Sequence, residues 1–202
     1  MRTSRFAVLA ALAAAAAALI LGGVQATIWS GAAAPGFARA ITRLIDPSVA
    51  SGPAVAGLTE PTAAYFRYGR LAIVLYALLA GAARGAWPVL APRVRRLVQA
   101  LGGAALAGDL GAYWLSASAG PAVRRVAFLG VELPALGLIV LVLTAAGARC
   151  LARREPGAGL VLALPLTIVA TATLRYLPHG ALLALAVTLG LAAVRLPGPT
   201  GS

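Results

Sequence analysis

Two acidic side chains, Asp109 and Glu132, interrupt stretches of the chain that are otherwise apolar. A carboxylate at the centre of a bilayer costs roughly 2.5–3.5 kcal/mol on insertion scales, so each needs a proton, a partner or a function to stay there. Two such carboxyls side by side offer general acid and base chemistry, or a site for a proton or small cation. Asp109 lies eleven residues before Gly120 and Glu132 eleven residues after Pro121, so a hairpin turning at Gly120-Pro121 brings both to one depth.

Polar residues near them fall into helical register. Gln99, Gly102, Asp109, Tyr113 and Ser116 are separated by threes and fours, which predicts one polar face turned into a bundle. Glu132 is followed by Pro134, which leaves a main-chain carbonyl one turn back without its usual donor. Thr167, Thr171 and Arg175 share a face of a later run. Together these outline a polar cavity in the outer half of a bundle. Asp109 and Glu132 lie deep in it as a candidate acid/base or proton-binding pair. Tyr113, Gln99, Ser116, Thr167 and Thr171 form walls able to bind a ligand, and Arg124, Arg125 and Arg175 stand at the mouth. The competing reading makes the two acids packing devices, each hydrogen-bonded or salt-bridged to a helix neighbour.

Much other chemistry is excluded. All seventeen basic residues are arginine, so lysine Schiff bases and a phosphate-loop lysine are absent. Cys150 has no second cysteine to pair with, and His179 has no second His or Cys at zinc-ligand spacing. No metal and no cofactor is expected. The formal charge of +12 sits in small arginine groups at the ends of apolar runs, the pattern of contacts with anionic lipid and not of a nucleic-acid stripe. Complete replacement of lysine by arginine, with abundant Ala, Gly and Pro, fits GC-rich bacterial coding, and the bacterial cytoplasmic membrane is the expected location.

The elements that must hold these residues follow from composition. At 61% hydrophobic and 11% charged the chain lies outside soluble usage. It reads as an all-α, polytopic integral membrane helical bundle with six spans, near 6–28, 66–88, 97–118, 126–148, 158–176 and 178–196. The first run also has the basic start, apolar stretch and small-residue ending of a signal peptide, which would leave five spans. Proline-rich residues 30–62 form an external connection. Within it Phe37, Ile41, Leu44 and Ile45 oppose Arg39 and Arg43, as in a helix lying in the interface, either a surface strap or a lid. Pro178 breaks the last apolar stretch into two helices. Residues 197–202 read as a disordered tail. Arginines on short flanks favour a cytoplasmic N-terminus.

Four further features have a plain structural reading. Arg84 snorkels to the surface. His179, in a turn after a proline, is solvated. Trp29, Trp87, Trp114, Tyr113 and Tyr176 near span ends form an aromatic belt. Cys150 is an incidental flank thiol. The functional expectation is an accessory or small-ligand/ion-binding transport-type subunit with an intramembrane acidic pair. The alternative is a membrane-embedded acid/base enzyme acting on a lipid or isoprenoid-like substrate. Expected partners are the lipid bilayer, a protein partner or a second copy of the chain, and a hydrophobic or ionic small ligand.

Overall fold

An unbroken Ala/Leu run favours helix at every position, and the chain begins with one helix, α1 (Arg2–Ser30). The computed structural model describes residues 2–54 and 61–194, and all regular structure among them is helical. Along α1 the buried residues Ala7, Ala11, Ala14, Ala18 and Leu21 recur every three or four positions, and from Leu21 to Ile28 every residue is buried. That stripe packs on α5 (Ala72–Ala86) and α11 (Leu177–Ala193).

The connection after α1 carries α2 (Gly36–Ile45) and α3 (Pro47–Ala50). Small residues Ala38 and Thr42 set α2 against α1, where the Thr42 hydroxyl donates to Ala38 O (2.8 Å) and its oxygen lies 3.0 Å from Thr27 Oγ1. Leu44, on the outward face, is 89% exposed. An apolar side chain left in the open on an amphipathic helix suits the membrane interface. Asp46 caps α3 and ties it to α4 (Ala63–Gly69): it accepts from Ser48 Oγ (2.5 Å), Val49 N (3.3 Å), Tyr68 OH (2.9 Å) and Arg67 Nη1 (3.2 Å). The Ser48 hydroxyl first, and then that of Tyr68, hold its carboxyl below the ordinary carboxylate range.

The hairpin that carries the acids follows. Its first arm is α6 (Pro92–Leu110), continued by a π-helical segment, Gly111–Leu115, and α7 (Ser116–Ala119). Gly120 turns the chain with φ 89°, a conformation open to glycine. The return arm is α8 (Pro121–Arg125), a second π-helical segment, Val126–Glu132, and α9 (Leu133–Ala152). Pro134 has no N–H, and the widened turn before it lies where the regular ladder would be short of a donor. A 3-10 turn, Ala158–Leu162, leads into α10 (Ala163–Leu174). Arg175 is left-handed (φ 54°) and Tyr176 extended, and Pro178 sits in the first turn of α11. α11 is buried on most sides, against α1, α5, α9 and α10, as a helix apolar all round must be.

Three helices among the described residues are long and apolar enough to cross a membrane: Arg5–Ala33, Ala63–Val89 and Pro121–Ala152. Six were expected from the sequence. The arm beginning at Pro92 falls short because Arg93, Arg95 and Arg96 shorten its apolar part and Gln99, Asp109 and several glycines make the rest less hydrophobic. Ala158–Leu174 and Leu177–Ala193 are apolar but shorter. The outside of the bundle is nonetheless apolar, with Phe6, Leu9, Val74, Leu141 and Ile168 all more than half exposed, a surface suited to lipid and not to water. The expected tail and Arg195 lie outside the described residues.

Candidate functional site

The hairpin arms meet across a glycine. A Cβ built on Gly108 would stand 2.6 Å from Glu132 N and 2.8 Å from both Ala127 O and Glu132 Cβ, so the main chains of the two arms nearly touch there. Asp109 is the next residue. Both acids are 1% exposed, and Glu132 lies within electrostatic reach of Asp109. Asp109 Oδ2 and Glu132 Oε2 have no hydrogen-bond partner, and among the described residues neither acid forms an ion pair. Both arms are π-helical near the pair, at Gly111–Leu115 and Val126–Glu132. Such widened turns are frequent at functional sites.

Tyrosines lie around the pair. Tyr65, Tyr76, Tyr113 and Tyr176 all lie within electrostatic reach of Glu132. Tyr113 and Tyr176 share a hydroxyl–hydroxyl hydrogen bond of 2.7 Å. Gly69 makes room for the Tyr113 ring, which any Cβ there would overlap. Tyr65 packs on Tyr113 with centroids 4.8 Å apart, and Trp29 touches Tyr65, Phe128 and Tyr176 at 6.0–6.2 Å. Burying one end of the Tyr113–Tyr176 bond without the other should be costly. Tyr113→Phe or Tyr176→Phe alone should lower stability by roughly 1–3 kcal/mol, and the double variant by less than the sum, because only the singles orphan a hydroxyl. Thermal unfolding of the four proteins in detergent measures this. Additive losses would mean that the bond contributes nothing.

Of the sequence candidates, Asp109, Tyr113 and Ser116 do share a buried face. Gln99 does not: it is exposed, because ten residues at about 100° each leave it roughly 80° from the direction of Asp109. The three arginines expected at the mouth stand differently. Arg124 is buried (4% exposed), lies over the rings of Phe66 (5.3 Å) and Tyr65 (5.9 Å) and donates to Ser116 Oγ (3.3 Å). Arg125 is exposed. Arg175 is exposed and donates to Ala33 O (3.2 Å). Thr167 is buried and returns its hydroxyl to Ala163 O (2.7 Å), while Thr171 stands half-buried against Gly180.

His179 is the largest departure. It is 2% exposed, neither ring nitrogen has a partner among the described residues, and its ring lies tilted at 5.3 Å from that of Tyr176. Gly22 on α1 admits it: a Cβ there would come within 2.8 Å of His179 Cβ. The aromatic belt is likewise overturned for Trp29, Tyr113 and Tyr176, which are interior packing residues. Trp114 stays outside, 49% exposed under the Arg70 guanidinium at 5.0 Å. Trp87 is half-buried and Cys150 buried. Buried Gln25, with both amide atoms unpartnered, went unnoticed in sequence, where its place among small residues suggested a cleavage site.

Compared with protein-family models, curated proteins and solved structures, the chain matches none. Its function is therefore read from this geometry alone.

Among the described residues no three His, Cys, Asp or Glu side chains gather into a metal-binding group. A groove separate from the acids opens on the bundle. Its volume is about 500 Å³, and it lies between α5 and α6. Tyr76 joins the two regions: it lines the groove, and its buried hydroxyl lies within electrostatic reach of both acids.

Proposed function

We propose that this chain is a six-span protein of the bacterial cytoplasmic membrane in which Asp109 and Glu132 together hold one exchangeable proton, the ion-binding core of an accessory or transport-type subunit. The observation that carries the reading is the pair itself: two acids 1% exposed, within electrostatic reach of each other and without an ion pair among the described residues. Like charges so placed are relieved when they share a proton. A proton suits the site better than a metal, since among the described residues no third His, Cys, Asp or Glu joins the pair. Infrared titration of amide variants tests it, as argued in the Discussion.

The span count rests on length and surface. α11, at 17 residues, is about 25 Å long, the lower end of what a bilayer accepts. α6 supplies an apolar stretch once Arg93, Arg95 and Arg96 stand in the interface. α1, packed along α5 and α11, acts as a retained span and not as a cleaved leader. With the N-terminus cytoplasmic, Ser118 faces outside and Glu155 inside. In a Cys150→Ala background, a cysteine at position 118 should react with an impermeant maleimide on intact cells, and one at 155 only after permeabilisation. Labelling of both from one side would refute this topology.

A second reading, acid/base catalysis on a lipid or isoprenoid-like substrate, is favoured by Tyr76, which stands between an apolar groove and the two carboxyls. Chemical change in co-purified lipid that stops in Asp109→Asn would select it over simple proton binding.

A further inference from the structure

The groove between α5 and α6 exists because these neighbours in sequence scarcely touch. Its floor is apolar, with Ile139 and Leu143 from α9 and Leu185 and Leu189 from α11. One wall is bare: a Cβ on Gly102 or Gly103 of α6 would meet nothing within 4 Å. An open apolar groove of about 500 Å³ leaves its lining short of dispersion contacts, so an apolar chain should occupy it.

The ends differ. At one stands Tyr76, its hydroxyl buried. At the other stand Arg84 and Gln99 with the half-buried Trp87, and one turn back along α6 come Arg95 and Arg96, both exposed. Among the described residues no acidic side chain lines the groove. An arginine and an indole at the rim of an apolar slot, backed by further arginines, match the headgroup level of a bilayer and the charge of an anionic lipid.

We infer that the α5–α6 groove is a binding site for one anionic phospholipid, with an acyl chain laid along Gly102 and Gly103 and its phosphate held at Arg84 and Gln99. The inference rests on the membrane reading of the bundle and not on the acid pair.

The test is native mass spectrometry of the full chain released from nanodiscs made of equal phosphatidylglycerol and phosphatidylcholine. The unaltered protein should keep one phosphatidylglycerol under activation that strips other lipid. Gly102→Leu, whose side chain would enter the void, should lose it, while Gly102→Ala, which leaves most of the groove open, keeps it. Arg84→Gln should reduce the preference for phosphatidylglycerol about fivefold, the effect of one arginine near a charged lipid surface. Equal retention of both lipids by the unaltered protein would overturn the assignment. So would a lipid-free dimer, or a folded Gly102→Leu that still carries the lipid. A chain that stays monodisperse without detergent would refute the membrane reading itself. Loss of proton titration with the lipid retained would refute only the acid pair.

Discussion

The double variant Asp109→Asn, Glu132→Gln should fold, insert and show no titrating buried carboxyl, whereas the unaltered chain titrates in two separated steps and each single variant in one. Two interacting acids lose their protons in macroscopic steps that belong to the pair, and removing one partner leaves a simple curve. The carboxyl band in the infrared, followed against pH in lipid, reads these steps directly. Stability separates binding from packing. If each acid served to fix helices through a buried ion pair, removing it would cost about 3–5 kcal/mol. No such pair is present among the described residues, and the amides keep the shape of the acids while removing the demand to bury charge. The melting temperature of the variants in detergent should therefore stay close to that of the unaltered protein. Collapse of both single variants would leave packing as the whole role of these residues. A single titration step in the unaltered chain would mean that the two carboxyls do not interact.

The depth of the acid pair was legible in the sequence because it depends on counting alone: equal distances from a Gly-Pro turn, on helices of equal rise, give equal height. Rotation was not legible. The approach of Gly108 to Glu132 depends on two widened turns, and nothing in Gly111–Leu115 announces one, although Pro134 hints at the other. The break before α11 could be read from Pro178, since a residue without an N–H fits a first turn and little else in a helix. The surroundings of that break could not. His179 looked solvated because it follows a proline in a turn, yet Gly22, more than 150 residues earlier, leaves the space that buries it. Trp29 and Tyr176 were assigned to a belt from their nearness to span ends. Only the fold shows that their rings meet each other inside the bundle. Local pattern gave elements and depths; long-range fit between small and large residues gave the site.

That fit makes Gly147→Ala the most damaging small substitution expected in the second half of the chain. A Cβ at Gly147 would stand 2.0 Å from Val161 N, 2.4 Å from Leu160 C and 2.8 Å from Val161 Cα. All three are main-chain atoms, so no rotamer change relieves the clash. The turn Ala158–Leu162 must move, and with it the bond from Leu164 N to Thr144 Oγ1 (3.0 Å) that pins the start of α10 to α9. Overpacking against side chains costs about 1–3 kcal/mol, and against backbone the loss should reach the upper end or exceed it. Gly137→Ala is the matched control. It adds the same methyl to the same helix but meets nothing within 4 Å, and should gain roughly 0.5–1 kcal/mol from the helix preference of alanine. The contrast removes propensity from the comparison and leaves the approach of α9 to the turn before α10. Thermal unfolding in one detergent, with lipid binding as a check on the remaining fold, measures both. A Gly147→Ala protein as stable as Gly137→Ala would mean that the turn yields freely. The close seat of α10 and α11 beside α9, and with it the burial of His179 and Tyr176, would then need another cause.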